Sequence, residues 1–139
     1  MHWIVDGMNV IGCRPDGWWR HRRRAMAALV ENLDQWASAE QLDVTVVFEK
    51  PPSPPLGSTV ITVTHAAVAA PNSADDEILR LLSGMADPCS VQVATSDRGL
   101  AERVRAAGAT VFPAERLRQM IDPPSAEGSP AVPDQRELP

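Results

Sequence analysis

A three-layer α/β/α domain with a mainly parallel central sheet is the fold class this sequence predicts. Strand-like and helix-like segments alternate along the chain, which is the pattern of a doubly covered parallel sheet. The segment Asp43-Val44-Thr45-Val46-Val47-Phe48 is almost continuously apolar, as a strand covered on both faces should be. Acidic residues directly follow strand ends, where open α/β sheets place their ligands.

The first strand reads Trp3-Ile4-Val5 and ends at Asp6-Gly7, with a loop containing Gly12, Pro15 and Gly17 after it. A long helix is predicted from about Trp19 to Ala39, because Met26, Leu29, Val30, Leu33 and Trp36 recur at helical spacing. The second strand covers residues 43–48, and Pro51, Pro52, Pro54, Pro55 and Gly57 make the connection after it stiff. Residues 59–64 alternate and read as a more exposed strand. A helix is expected from Ser73, with Ser73 as the start of a capping arrangement, Asp76 at its third position and Ile78, Leu79, Leu82 and Met85 as its buried stripe. Val91–Thr95 is the fourth strand, followed by Ser96-Asp97. A helix from about Gly99 to Ala107 should stop at Gly108. Thr110–Phe112 is a short last strand, and Pro113 opens a final helix through Ile121. Residues 1–122 are expected to form one domain. Residues 123–139, dominated by Pro, Ser, Gly and charge, are expected to be a disordered tail.

At 139 residues the chain suits a single domain that buries roughly two thirds of its unfolded surface. The two cysteines, Cys13 and Cys89, match no metal-binding spacing and suit a reducing compartment. With no apolar run of about 18 residues and a strand at the very start, no leader and no membrane segment are expected, and the predicted location is cytoplasmic. A net charge of −5 argues against a generally basic nucleic-acid binder. Five of the thirteen basic residues nevertheless fall between Arg14 and Arg24, so a local patch remains available to a polyanion.

The acids carry the chemistry. Asp6 and Asp97 each follow an apolar strand, and β-α alternation places the first and fourth strands side by side. Asp75 lies three, four and seven residues before Ile78, Leu79 and Leu82, on the buried face of its helix. Glu49 ends the second strand and Asp76 sits nearer the stripe's edge, which makes both further candidates. Three carboxylates drawn within ~5 Å would repel by roughly 3 kcal/mol per pair at an effective dielectric near 20. A divalent cation turns that cost into affinity, and an oxygen-only donor set suits Mg²⁺ or Mn²⁺. Each acid alone also has a structural explanation: Asp is a common turn residue, and Asp75-Asp76 fits a helix start.

At these residues the sequence resembles a known family. The stretches Ile4-Val5-Asp6-Gly7-Met8-Asn9-Val10-Ile11, Val46-Val47-Phe48-Glu49, Ser73-Ala74-Asp75-Asp76-Glu77-Ile78 and Thr95-Ser96-Asp97-Arg98 resemble the NYN domain, in the YacP-like branch of the PIN-like ribonuclease superfamily. The resemblance spans about Trp3 to Ile121. It implies a metal-dependent endoribonuclease that hydrolyses phosphodiester bonds in RNA. Asp6, Asp75 and Asp97 would be its ligands, Asn9 would order the site and Ser96 would support it through its hydroxyl. The chain departs from the family pattern at Glu49, where relatives usually carry Asp, and at Met8, where they often carry Tyr.

The run Trp18-Trp19-Arg20-His21-Arg22-Arg23-Arg24 fits RNA contact, with guanidinium groups on phosphates and an indole free to stack on a base. A solvated helix face with one core Trp explains it equally. Arg98, next to Asp97, is a phosphate contact or a neutralising charge. The expected partners are RNA in single-stranded regions and, as a larger assembly, the ribosome. A catalytically weak or inactive RNA- or ribosome-binding module of the same fold is the alternative. A phosphoacceptor receiver is disfavoured because Lys50 is the sole lysine, and a phosphohydrolase because Met8 stands where a second acid would be needed.

Overall fold

A computed structural model describes residues 2–13, 18–50, 56–66 and 73–122. Arg14, the prolines at 51–55, the tail at 123–139 and the side chain of Trp18 lie outside the described residues. The order is β1 (His2–Asp6), α1 (Gly7–Ile11), α2 (Arg22–Glu40), β2 (Asp43–Phe48), β3 (Thr62–His65), α3 (Ser73–Ser83), β4 (Val91–Ala94), α4 (Arg98–Ala106), β5 (Thr110–Phe112) and α5 (Ala114–Ile121). Single 3-10 turns precede α2 at Trp18–Arg20 and β4 at Pro88–Ser90.

The five strands form one sheet in the order β3-β2-β1-β4-β5, and every pairing is parallel. β1 sits at the centre, so strand order reverses on either side of it. Alternate residues of the inner strands feed two separate cores. Trp3, Val5, Val44, Val46, Phe48 and Ala94 face α1, α2 and α5, while Ile4, Val47, Val91 and Val93 face α3 and α4. That is the three-layer architecture. Trp3 anchors the first layer, with edge-on contacts to Trp36 of α2 and Phe112 of β5 at ring-centroid distances of 5.0 and 5.1 Å.

Three elements differ from the sequence reading, each for a local reason. The segment after Asp6 is not a plain loop but a helix, α1, that opens on Gly7. A Cβ at Gly7 would stand 2.5 Å from Phe48 Cε1 and 3.1 Å from the Val47 carbonyl oxygen, so only glycine lets α1 turn this close over β2. α2 begins at Arg22, because His21 leaves the helical region (φ −140°, ψ 59°) after the 3-10 turn, and it ends at Gln41 in the left-handed region (φ 55°). β3 starts at Thr62 and not Thr59. The Ser58 hydroxyl accepts from the backbone N–H groups of Val60 and Ile61 at 2.9 and 3.0 Å, which holds that stretch in a turn. Gly108, at φ 96°, follows α4 as its spacing requires.

Candidate functional site

Parallel strands deliver their carboxyl ends to one edge, and the acids collect there. Asp6 is the last residue of β1, Glu49 directly follows β2, and Asp97 comes three residues after β4. α3 packs on β1 and β2, which brings Asp75 in its first turn to the same edge. Asp6 is only 6 % exposed.

Its surroundings make it costly to ionise. Burial, followed by the charges of Asp75, Asp97 and Glu49, pushes its pKa up to about 7, against the opposing hydrogen bond from Thr95. The Asp75 carboxyl is also raised, by burial first and then by Asp97, with Arg103 offsetting part of the effect. Four of the five acids the sequence offers for the site, Asp6, Asp75, Asp97 and Glu49, thus share one electrostatic neighbourhood. The ligand set is open: among the described residues no three carboxylate, imidazole or thiol side chains are drawn together tightly enough to hold one ion as they stand. Oxygen donors around an uncompensated buried carboxyl fit Mg²⁺ or Mn²⁺, which keep several of their own waters and need few direct protein ligands. Asp76 points elsewhere. Its side chain is 82 % exposed, and Oδ1 lies 3.7 Å from Arg103 Nη2 on α4.

Hydrogen bonds fix the edge. The Thr95 hydroxyl donates to Asp6 Oδ2 at 3.0 Å and accepts from the Asp97 backbone N–H at 3.1 Å. Asp97 Oδ1 accepts from the Leu100 N–H at 3.0 Å, so this acid also caps α4. Asn9, on α1, accepts through Oδ1 from the Ser96 N–H at 2.8 Å. The hydroxyl of Ser96, expected to support the acids, accepts from the Ala114 N–H at 3.0 Å at the start of α5, while the Ser96 backbone N–H meets Asn9. The Ser73 hydroxyl donates to the Glu49 carbonyl oxygen at 3.3 Å, tying α3 to the end of β2.

Two residues were missed by the sequence reading. Thr95, 1 % exposed, bridges the two strand-end acids; a hydroxyl residue directly before Ser-Asp at the end of an apolar strand was the available signal. Arg118 of α5 donates through Nη1 to the carbonyl oxygens of Val10 and Ile11 at 3.2 and 2.9 Å, and its Nε lies 3.3 Å from Asp122 Oδ2. It satisfies the C-terminal carbonyls of α1, the helix that carries Asn9. A lone arginine on a helix far along the chain gives no such signal.

The basic run sits at the same end. α2 follows β1 and returns to the start of β2, so its N-terminus lies at the carboxyl edge of the sheet. Arg20, Arg22 and Arg24 are exposed and Arg23 is half-buried. Arg98 opens α4 beside Asp97 and is exposed. Trp19, 51 % exposed, is the indole of the pair whose side chain is described. No helix among the described residues is long and apolar enough to cross a membrane.

The chain is similar in fold to two crystal structures of Rae1 (YacP) from Bacillus subtilis. One, a W164L mutant, is 24% identical with a TM-score of 0.70, covering 86% of this chain and 76% of that one. The other is 23% identical with a TM-score of 0.69, covering 87% and 73%. No curated protein sequence matches the chain. The model of the YacP-like NYN domain matches residues 3–137, running past the domain end at residue 122 that composition suggests. A match over nearly the whole length, on a parallel sheet whose central strand ends in Asp6, places this chain in the YacP-like NYN domain family.

Proposed function

We propose that this protein is a divalent-metal-dependent endoribonuclease that hydrolyses phosphodiester bonds in single-stranded RNA in the cytoplasm. Asp6 carries the reading. It is a buried carboxyl with three acids acting on it, held above its ordinary pKa, and a bound cation would favour its charged form. Family membership supports the same conclusion, because the NYN resemblance implies nuclease chemistry at these positions.

Asp6, Asp75 and Asp97 would hold Mg²⁺ or Mn²⁺, with Glu49 contributing through water. When bound, the ion supplies Lewis-acid stabilisation of phosphoryl charge and an activated water. The chain's own residues do the positioning. Thr95 fixes the Asp6 carboxylate relative to the Asp97 backbone, and Asn9 holds the loop between β4 and α4 by the Ser96 N–H. Arg20, Arg22, Arg23, Arg24 and Arg98 neutralise the RNA backbone as it approaches an acidic edge.

Incubation of purified protein with labelled RNA, in Mg²⁺ or Mn²⁺ and in chelator, tests the proposal beside an Asp97→Asn variant. Metal-dependent cleavage that is lost in the variant supports it. The open ligand set and the longer Glu49 favour one other reading, an RNA- or ribosome-binding module without turnover. Tight RNA binding with no cleavage in either metal would establish that module instead.

A further inference from the structure

A cleft of about 470 Å³ opens beside the acidic edge, between α4, β5 and the start of α5. Its volume is in the range of small-ligand sites. Ala101, Val111 and Pro113 supply apolar wall, while Arg98, Glu102 and Arg105 line it from one face of α4. Arg98 and Arg105 are seven residues apart, so they share that face about 10 Å from each other. Thr95 and Ser96 line the cleft as well, and Thr95 is the residue bonded to Asp6. The cleft therefore adjoins the residue that holds Asp6.

The two arginines are notable for being unused. Arg98 and Glu102 stand at i,i+4 and Glu102 and Arg105 at i,i+3, spacings that allow ion pairs. Among the described residues neither arginine makes one, whereas Arg103 on the same helix reaches Asp76, and Arg80 and Arg118 are both paired. Two available guanidinium groups above an apolar wall suit a phosphodiester and the base or sugar attached to it.

We propose that this cleft is a subsite for a nucleotide beyond the two joined by the scissile phosphodiester, with Arg105 and Arg98 gripping its phosphates and Val111 and Pro113 supporting the nucleoside. The inference rests on the RNA-cleaving reading of the acidic edge and extends it to how substrate length is sensed. Arg105 lies outside the catalytic machinery, so its removal should act on binding.

The test is RNA binding by fluorescence anisotropy, with Ca²⁺ replacing Mg²⁺ to slow turnover, on oligonucleotides of about 2 to about 12 nucleotides. Arg105→Ala should weaken binding of the longest RNA roughly five- to tenfold and reduce the slope of log affinity against log salt by about 0.7. The difference should vanish on the shortest RNA, and Arg105→Lys should restore most of the affinity. Arg116→Ala, which removes a guanidinium lying over the Phe112 ring, should behave as wild type. Equal affinities of Arg105→Ala and wild type at every length would overturn the subsite while leaving the acidic site standing. A loss that is the same at all lengths would overturn it too. Failure of the wild type to bind any RNA would overturn the functional reading, and this inference with it.

Discussion

Two carboxylates in this molecule are alike in solvent exposure and electrically opposite, and Asp6 is the more deeply set of the two. Glu77 on α3 is 7 % exposed and Asp6 is 6 % exposed. Glu77 meets Arg80 in a two-point pair, Nε to Oε1 at 2.9 Å and Nη2 to Oε2 at 2.6 Å, which holds its carboxyl below the usual range. Asp6 meets one hydroxyl and three further acids, and burial first, then those acids, raise its pKa to about 7. Low exposure alone thus says nothing of role. A shielded acid with a cation beside it is a structural pair, and a shielded acid among acids is a place where positive charge is missing.

That contrast breaks most visibly in activity. Asp6→Asn should lower metal-dependent RNA cleavage at least a hundredfold, while Glu77→Gln should stay within about threefold of wild type. Initial rates at saturating Mg²⁺ decide it, and similar losses in both variants would erase the distinction.

A smaller effect is expected from Thr95→Val, which keeps shape and removes the hydroxyl between Asp6 and the Asp97 backbone. The Thr95 hydrogen bond lowers the Asp6 pKa, so its loss should move the acidic limb of the pH–rate profile upward and cost about tenfold in rate at pH 7. A profile unmoved along the pH axis would remove Thr95 from the site.

Stability against pH sharpens the comparison further. The folded pKa of Asp6 is raised above its ordinary value of 3.8, so the folded state holds a proton that the unfolded chain has released. The metal-free protein should therefore lose stability as pH rises from about 4 to about 7 and change little from this group above that. Asp75 acts in the same direction. His2, whose pKa is lowered by burial, acts oppositely below 6.5, and Glu77 contributes only below 4.5, where its stabilisation is lost with acid. The difference between wild type and Asp6→Asn isolates the Asp6 share. Thermal melts in chelator should show the variant gaining on wild type between pH 5 and 7.5, with added Mg²⁺ or Mn²⁺ restoring wild type most at the upper end. Parallel melting curves would contradict the electrostatic account. The least effect belongs to Glu77→Gln, a drop of no more than about 3 °C in melting temperature, because Arg80 is largely solvated.

The sequence made the sheet legible because burial on both faces leaves a plain mark: Val44, Val46, Val47 and Phe48 could scarcely occupy any other kind of strand. The meeting of Asp6 and Asp97 at one edge was legible because parallel topology sends strand ends there. Boundaries set by single side chains were not. The turn around Ser58 shortened β3, and the helix after Asp6 depends on how closely Gly7 approaches Phe48, a distance that no periodicity encodes. The second role of the Ser96 hydroxyl, at the start of α5, was hidden for a similar reason. Its acceptor role depends on where α5 begins, and that is settled by packing across the sheet.

The last helix reaches the acids without donating one. Ser96 holds its first turn, Arg118 locks its middle to α1, and α1 returns through Asn9 to Ser96, which closes a loop of contacts behind the strand ends. Any event that strips away this helix, whether a premature stop codon or a protease, should loosen the acidic edge from the rear while Asp6, Asp75 and Asp97 remain in the chain.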